Sequence, residues 1–349
     1  MTQNRQSVCI LFGGRSAEHD ISILSANAIY HHLDRARFDP QPVYINRRGH
    51  WRPVAPEEMK KPDAESLSRG RFQPMLPWNC DGESLPRADI CFPVLHGPNG
   101  EDGRIPALLE LADIPFVGAG SLGSALAMDK GTAKVLFKAA GIDTPDFMVF
   151  REPDVEEIMH EVEERLSWPV FVKPCNLGSS VGISKVKSAT ALPAAVNLAF
   201  QYDASIIVEQ GVQGREIEVA VMGNETLEVS RPGELEPHNE FYDYEDKYLD
   251  GKTSFHIPAR LPGELEERIR DLAARAYRCL QLRGLSRVDF FVGEKAGRIL
   301  VNEINTMPGF TEISMFPKLF LLEGYTFQSL VTRLIDYGLE RRAPGSADR

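Results

Sequence analysis

The sequence predicts an α/β protein, α+β when the whole chain is considered, whose N-terminal third is an open parallel sheet. Over the first third of the 349 residues, short apolar strands alternate with helical patterns, as in a parallel sheet covered by helices. Farther along, strands joined by short glycine-containing links favour antiparallel hairpins. Apolar residues make up 43% and charged residues 26%, as in folded globular domains. This length predicts two or three domains.

Two loops in the N-terminal third are candidates for ligand binding. Glycine-containing loops at 13–19 and 96–103 follow the first and third strands. Open parallel sheets bind ligands at the carboxyl ends of their strands, so both loops are candidate binding loops. Residues 52–85 show little periodicity and are predicted as loop and short strands. The predicted strands are 7–12, 41–45 and 90–95, and the predicted helices are 18–33 and 105–112.

The rest of the chain predicts two further units, so that the expected domains are 1–120, 121–210 and 211–349. Two short helical patterns flank Met128, and Gly284 is the expected C-terminal signal of a long helix. A polar, aromatic insertion occupies 237–252, and a helical tail ends the chain. The other predicted elements are strands at 147–150, 170–173, 183–186, 205–209, 216–222, 286–292 and 298–304, and helices at 154–166 and 265–280.

Charge and cysteine content exclude several classes of protein. The formal net charge of −11 argues against coating nucleic acid or an anionic membrane, although a local basic pocket for a small anion stays open. Five scattered cysteines without a C-x-x-C pair predict neither a zinc site nor a disulfide framework. The apolar run at 8–12 is too short for a signal peptide, and no run reaches about 18 residues. A cytoplasmic protein is expected.

The hairpin near the carboxyl end places charged side chains on one face. Strand side chains alternate with a period of two, so Arg287 and Asp289 share a face, as do Glu303 and Asn305. If the strands pair in register, two carboxylates and an amide oxygen converge beside a guanidinium. Such hard oxygen ligands suit Mg²⁺. A solvent-facing polar surface with an ordinary salt bridge is the alternative interpretation.

Basic side chains and glycines form a second candidate site. Lys173 ends an apolar strand, and the Gly/Ser turn at 178–182 can bring backbone N–H groups close to phosphate oxygens. A plain hairpin turn would use the same residue types. Lys130, Lys134 and Lys138 are spaced four apart on one helical face, which favours a solvent-facing surface, with phosphate binding as the alternative.

Three other features are weaker indicators. Residues 118–123 match the G-x-G-x-x-G dinucleotide pattern, but no acidic residue ends a second strand roughly 20 positions later, so the match is interpreted as accidental. Glu18 can bind a substrate ammonium or can simply favour the dipole of the helix that it precedes. Cys175 has no identifiable base and is given no role.

Taken in order, these motifs resemble the D-alanine–D-alanine ligases of bacterial cell-wall synthesis, in the ATP-grasp superfamily. The resemblance runs from about residue 12 to residue 317, and the ordered set is far more specific than any one motif. The matching motifs are GGRSAEH at 13–19, HGPNGEDG at 96–103, MDK at 128–130, KP at 173–174, GSSVG at 178–182, Arg215-Glu216, Tyr244 with Lys247-Tyr248, RVD at 287–289, NEINTMPGFT at 302–311, and Ser314.

The resemblance implies an ATP-grasp fold behind a Rossmann-like N-terminal sheet. It also implies ATP as co-substrate and two Mg²⁺ ions, with Mn²⁺ as an alternative. The implied phosphate-binding residues are Lys134, Lys173 and Ser180, the adenine-binding residues Glu209, Gly211 and Val212, the ribose-binding residue Glu216, and the metal ligands Asp289, Glu303 and Asn305.

The resemblance assigns the remaining residues to substrate. Arg287 and the Gly309 N–H would form an oxyanion hole, and Ser314 would hold the carboxylate of the second substrate. Glu18 would bind the ammonium of the first D-alanine, and His96 would lie near its carboxylate. A hydrogen-bonded set would latch the insertion over the site and direct a lysine to the transferred phosphate. These latch residues are Glu18, Ser179 and Tyr248, with Lys247 as the lysine.

The implied reaction is the ligation of two D-alanine molecules through an acyl phosphate, for peptidoglycan precursor synthesis. Phosphorylation is needed because a carboxylate is a poor electrophile. The implied enzyme is a homodimer that binds neither nucleic acid nor membrane. Related D-alanine–D-serine and D-alanine–D-lactate ligases are the alternatives, although Tyr244, Lys247 and Tyr248 resemble the dipeptide-forming type. A nicotinamide-dependent oxidoreductase and a nonenzymatic nucleotide-binding regulator are alternatives from other classes.

Overall fold

A computed structural model describes residues 5–70, 72, 88–178, 181–236, 254–293 and 297–341. Within these residues the chain forms three sheets, two with four strands and one with six. The predicted mixed α/β class is confirmed. None of the described helices combines the length and the apolar character that crossing a bilayer requires. The predicted domain boundaries stay a prediction.

The first sheet is parallel at its centre, as the sequence predicts. Strand β1 lies between β2 and β4 and runs parallel to both, and β3 adds antiparallel to the outer edge of β2. The elements of this part are β1 (Gln6–Gly13), α1 (His19–His32), β2 (Phe38–Ile45), β3 (Trp51–Pro53), α2 (Ala64–Leu67), β4 (Ile90–Val94) and α3 (Arg104–Leu111).

The second sheet is antiparallel, in the order β5-β8-β6-β7, and has its own apolar core with α6 and α7. Helix α7 has no counterpart among the predicted elements. Two helices, α4 and α5, precede this sheet. The elements are α4 (Ser121–Met128), α5 (Lys130–Ala139), β5 (Phe147–Phe150), α6 (Val155–Arg165), β6 (Val170–Pro174), β7 (Ser184–Val186), α7 (Leu192–Phe200) and β8 (Ile206–Gln210).

The third sheet contains the predicted hairpin, β13 with β14, and places β9 on the other side of β13. Strands β11 and β12 extend the sheet beyond β9, and β10 also pairs with β9. The elements are β9 (Arg215–Gly223), β10 (Leu227–Val229), β11 (Gly233–Glu236), β12 (Ser254–His256), α8 (Gly263–Cys279), β13 (Gly284–Val292), β14 (Ile299–Asn305), α9 (Met315–Leu322) and α10 (Phe327–Glu340).

Helix α8 ends at Cys279, one residue from the predicted end at 280, but Gly284 is not its C-terminal signal, contrary to the prediction. The left-handed residue after the helix is Gln281, with φ of 53°, and the Leu282 N–H closes the turn by donating to Tyr277 O at 3.1 Å. Gly284 instead opens β13, where a Cβ would lie 2.7 Å from the Gly118 backbone nitrogen. A glycine is needed there because two backbones pass close together.

One apolar core joins the N-terminal sheet to the C-terminal helices. Phe12 and Phe38 of the first sheet belong to the same buried cluster as Phe310, Phe316 of α9 and Leu334 of α10. The helical tail therefore packs against the first sheet, although it lies at the other end of the sequence. This shared core fixes the loop that follows β14 against the loops that follow β1 and β4.

Gly13, at the end of β1, is expected to tolerate no side chain. Its φ is +93°, and a Cβ would lie 2.2 Å from Ile45 O. Replacing Gly13 with alanine should lower the free energy of unfolding, measured in urea, by about 3 kcal/mol. Gly141→Ala is the matched control, because Gly141 also has a positive φ of +66° but nothing within 4 Å of an added Cβ. Equal losses in the two variants would contradict the clash.

Candidate active site

Glu18 brings a carboxylate to the place where three loops meet. It follows the loop after β1 and directly precedes α1. A Cβ added to Gly97 would lie 2.7 Å from Glu18 Oε2, and one added to Gly178 would lie 3.5 Å from it. The loops after β4 and β6 thus both approach this half-buried carboxylate, which can accept hydrogen bonds from an ammonium group held between them.

His96 is buried, and both of its ring nitrogens are bonded within the protein. Nδ1 lies 2.8 Å from Met307 O, and Nε2 lies 3.0 Å from Ser25 Oγ. Burial lowers the pKa of His96 against the opposing effects of the Glu18 charge and of the Met307 carbonyl, so the ring is neutral near pH 7. That His96 lies near a substrate carboxylate stays a prediction. The structure shows in addition that His96 contacts the loop after β14, through Met307.

Glu101 is a second carboxyl group, close enough to Glu18 for their charges to interact. It accepts the Gly97 N–H at 2.8 Å and the Met307 N–H at 3.2 Å. Burial, with the nearby Glu18 charge, raises the pKa of Glu101 to about 8. Glu101 is therefore largely protonated near neutral pH, which avoids placing two negative charges side by side.

The charged face of the β13–β14 hairpin is formed as predicted. Arg287 pairs with Asn305 across the ladder and Asp289 pairs with Glu303, so the in-register pairing is confirmed. Arg287 Nε and Nη2 both lie 2.7 Å from the Asp289 carboxylate oxygens, and Asn305 Nδ2 lies 3.3 Å from Asp289 Oδ2. Arg287 Nε also lies 3.1 Å from Glu218 Oε2 of β9.

Burial acts to lower the pKa of Arg287, but Asp289 and Glu218 outweigh it and raise that pKa well above its usual value. The guanidinium is thus permanently charged and is held in a fixed orientation by two carboxylates. An arginine fixed in this way can stabilise negative charge that develops beside it, without reorganising.

The donor set of the hairpin fits a small hard cation. Asp289 and Glu303 supply carboxylate oxygens, and Asn305 supplies an amide oxygen once its side chain turns. Among the described residues, no group of three or more His, Cys, Asp or Glu side chains is arranged to hold a metal. Two carboxylates completed by phosphate oxygens are what Mg²⁺ uses at nucleotide sites, whereas zinc sites are built mainly from Cys and His ligands.

Two buried lysines flank one buried glutamate between β6, β8 and α5. Lys173 Nζ donates to Glu209 Oε2 at 2.5 Å, and Lys134 Nζ lies 3.2 Å from Glu209 Oε1. Lys130 is also buried; its Nζ donates to Leu177 O at 2.7 Å and lies 3.5 Å from Glu303 Oε2. The preferred prediction of a solvent-facing lysine surface is therefore wrong for Lys130 and Lys134, because α5 packs with that face inward.

The charges of this cluster depend on one another. Burial raises the pKa of Glu209, but Lys134 and Lys173 outweigh that effect and lower it to about 2. Burial, together with the nearby Lys173 charge, lowers the pKa of Lys134 in spite of the opposing effect of Glu209. For Lys173, burial is outweighed by Glu209, and the pKa is raised. Two ammonium groups that share one carboxylate place positively charged donors where a polyanionic ligand can bind.

The residues predicted to meet adenine and ribose lie at the adjacent strand ends. Gly211 follows β8, where its N–H donates to Pro169 O at 2.8 Å, and the half-exposed Val212 comes next. Glu216 lies on β9 and is near enough to Lys173 to raise the pKa of that lysine. Of these residues, Glu216 is the one whose charge acts on the lysine cluster.

Gly309 and Ser314 lie on the loop between β14 and α9. Ser314 directly precedes α9 and bonds to Thr311, whose N–H donates to Ser314 Oγ at 3.0 Å. A Cβ on Gly309 would lie 2.9 Å from Ser314 Oγ. A hydroxyl at a helix N-terminus is a favourable place for a carboxylate.

Four predicted site residues lie outside the described residues. They are Ser179, Ser180, Lys247 and Tyr248, together with Tyr244 and the rest of the 237–252 insertion. Their roles stay predictions.

Three residues that the structure brings to the site have no role in the sequence analysis: Ser25, Glu101 and Glu218. Alternation along β9 could have revealed Glu218. No local signal marks the other two, because their contacts are made with the distant loop after β14. Lys130 has only the alternative role of phosphate binding there, and the structure brings it to 3.5 Å from Glu303.

The glycine motif at 118–123 does not present an open helix N-terminus. Helix α4 begins at Ser121, and the carboxylate of Glu110 occupies that end of the helix. The Ser121 N–H donates to Glu110 Oε1 at 3.0 Å, and its hydroxyl donates to the other oxygen. A dinucleotide pyrophosphate would have to displace this carboxylate, which agrees with the interpretation of the motif as accidental.

Solved structures share the whole fold. The VanG D-Ala:D-Ser ligase from Enterococcus faecalis is 36% identical with a TM-score of 0.86, covering 96% of this chain and 100% of that chain. The D-alanine-D-alanine ligase from Coxiella burnetii is 34% identical with a TM-score of 0.87, covering 97% and 95%. The fold and the site together define a ligase with the ATP-grasp fold.

Sequence comparisons narrow this class to one family. Residues 7–119 match the model described as D-ala D-ala ligase N-terminus, and residues 136–336 match D-ala D-ala ligase C-terminus. The D-alanine–D-alanine ligase of Chlorobium luteolum is 45% identical over 363 residues, covering 98% of this chain and 99% of that protein. That of a Thermoanaerobacter species is 44% identical over 349 residues, covering 96% and 97%. The chain belongs to the D-alanine–D-alanine ligase family.

Proposed function

We propose that this protein joins two D-alanine molecules into D-alanyl-D-alanine and converts ATP to ADP and phosphate. The product serves peptidoglycan precursor synthesis in the cytoplasm. The observation that carries the proposal is the in-register hairpin of Arg287 and Asp289 with Glu303 and Asn305, in a chain of this family. The enzyme acts as a homodimer with three domains, at 1–120, 121–210 and 211–349.

The first step transfers the γ-phosphoryl group of ATP to the carboxylate of the first D-alanine. A carboxylate oxygen attacks the γ-phosphorus, the bond to the β-phosphate oxygen breaks, and ADP leaves. Lys134 and Lys173 neutralise the phosphates, Glu216 binds the ribose, and Glu18 holds the ammonium of the D-alanine. Two Mg²⁺ ions, held by the hairpin ligands, would neutralise the charge that develops on the phosphates. Glu209, Gly211 and Val212 border the adenine.

The second step forms the peptide bond. The amine of the second D-alanine attacks the acyl carbon, and the resulting tetrahedral oxyanion is stabilised by Arg287 and the Gly309 N–H. The C–O bond to phosphate then breaks, and phosphate leaves. Ser314, at the start of α9, holds the carboxylate of the second substrate. Preorganised donors matter here because losing one typically costs about 3–4 kcal/mol of transition-state stabilisation.

Two further parts of the proposal concern residues outside the described ones. Ser180 contacts the ATP phosphates, and Lys247 reaches the transferred phosphate. Ser179 and Tyr248 bond to Glu18 and close the insertion over the site. Such closure excludes water, which would otherwise hydrolyse the acyl phosphate.

The identity of the second substrate separates this proposal from its alternative. A D-alanine–D-serine ligase is the specific second candidate, because the solved structure from Enterococcus faecalis carries that description and shares the fold. An ester-forming D-alanine–D-lactate ligase is less well supported, since Tyr244, Lys247 and Tyr248 resemble the dipeptide-forming type.

The test is an assay of phosphate release with Mg-ATP and the purified protein. We expect release with D-alanine and none with L-alanine, and mass spectrometry should identify D-alanyl-D-alanine. D-Alanine mixed with D-serine or D-lactate, over a range of pH, measures the preference for the second substrate. A preference for D-serine would support the alternative. Absence of D-alanine-dependent release would exclude both proposals.

A further inference from the structure

The segment that carries Gly309 is held by side chains from the first sheet and α1. The contact of His96 Nδ1 with Met307 O fixes one end, and the Phe310 N–H donates to Ser25 Oγ at 3.2 Å at the other. Ser25 Oγ and His96 Nε2 are themselves 3.0 Å apart, so one buried network holds both ends. The two contacts join residues 211 and 285 positions apart in the chain.

The chemistry of these atoms allows one arrangement of protons. Met307 O can only accept a hydrogen bond, so His96 Nδ1 carries the proton. Because burial keeps the ring neutral, Nε2 is an acceptor. Ser25 Oγ therefore receives the Phe310 N–H and donates its own proton to Nε2. The Phe310 N–H, the Ser25 hydroxyl, the His96 ring and the Met307 carbonyl thus form one continuous chain of hydrogen bonds.

This network leaves one backbone donor of the segment for a ligand. The Met307 N–H is taken by Glu101 and the Phe310 N–H by Ser25. Pro308 has no N–H. In the part of the chain that the structure describes, the Gly309 N–H has no hydrogen-bond partner.

We propose that Ser25 is a positioning residue for the peptide-bond-forming step: with His96 it holds residues 307–310 so that the Gly309 N–H points at the oxygen of the reacting carbonyl. This inference rests on the proposed function, which gives Gly309 its role. Ser25 acts through His96 and Phe310 and touches no substrate. Its loss loosens the segment but leaves the lysine cluster around Glu209 untouched, so it affects the second step more than the first.

The two steps can be measured separately in the full-length enzyme. Positional isotope exchange in γ-¹⁸O-labelled ATP with D-alanine reports reversible formation of the acyl phosphate, and dipeptide formation reports the complete reaction. In Ser25→Ala we expect dipeptide formation to fall about 10- to 100-fold, because small misplacements of catalytic groups have effects of this size. Isotope exchange and the KM for ATP should change by less than about threefold.

Ser22→Ala is the matched control, because Ser22 is also a fully buried serine of α1. Its hydroxyl donates to Val94 O and accepts the Gly13 N–H at 2.7 Å, so its contacts lie within the first sheet. We expect this variant to lose stability without changing the ratio of isotope exchange to dipeptide formation. Hydrogen exchange gives a readout independent of activity: Ser25→Ala should speed exchange at the Phe310 amide, and Ser22→Ala should not.

The outcomes distinguish the two proposals. Without D-alanine-dependent dipeptide formation in the wild-type enzyme, the proposed function itself fails, and this inference fails with it. If the wild type is active and Ser25→Ala loses both steps in proportion, or neither, Ser25 is only structural and the inference is wrong. The inference is supported if Ser25→Ala loses dipeptide formation but keeps positional isotope exchange, and if hydrogen exchange at the Phe310 amide becomes faster.

Discussion

Replacing Asp289 with asparagine is expected to lower D-alanine-dependent phosphate release by about a thousandfold, because it removes the central carboxylate of the proposed metal-binding face. The substitution keeps the shape of the side chain. Arg287 stays paired with Glu218, 3.1 Å from its Nε, so the hairpin should stay folded. The measurement is phosphate release at saturating D-alanine over a titration of Mg²⁺, with the melting temperature of each protein recorded.

Asp146→Asn is the matched control for this experiment. Asp146 pairs with Lys138 at 3.3 Å on an exposed surface, so the same chemical change there should leave the rate and its Mg²⁺ dependence unaltered. If Asp289→Asn kept activity within a few-fold of the wild type, the metal assignment of the hairpin would be wrong. An inactive variant that melts much earlier would call for a comparison with the Asp289→Glu enzyme, which keeps the charge.

The second large effect concerns stability. Replacing Glu209 with glutamine leaves two buried ammonium groups without their shared counter-charge, so we expect the free energy of unfolding at pH 7 to fall by about 3–5 kcal/mol. The pKa of Glu209 is lowered to about 2 in the folded protein, against a usual value of 4.5. Its contribution is therefore fully present above about pH 5 and is lost as the pH falls towards 2. The gap between wild type and variant should narrow over that window.

Urea unfolding at several pH values measures this gap. The double variant Glu209→Gln with Lys173→Met removes one of the uncompensated charges, and it should recover about 2 kcal/mol of the loss. Glu65→Gln is a control, because Glu65 pairs with Arg69 at 2.8 Å on a fully solvated helix face, where the change should matter little. A loss for Glu209→Gln that did not vary with pH would contradict the charge-based explanation.

Local patterns in the sequence were sufficient for much of the fold and part of the site. The alternation of side chains along a strand, with the short link between β13 and β14, predicts that Arg287, Asp289, Glu303 and Asn305 share one face. The structure confirms this pairing. The apolar runs near residues 10 and 90 likewise predict strands of a parallel sheet, and both runs form such strands. These predictions succeed because strand periodicity and hairpin register are set by residues close together in the chain.

The sequence by itself thus determined the family resemblance, the hairpin face and the strand that carries Lys173. Only the tertiary structure shows that Lys130 and Lys134 are buried. Lysines spaced along one helical face favour a solvent-exposed surface, because the sequence does not indicate which elements pack against that face. Only the tertiary structure joined Ser25 to Phe310, 285 residues later, through the core shared by the first sheet and the C-terminal helices. Such contacts depend on how distant elements pack together, and no periodicity within either segment encodes that packing.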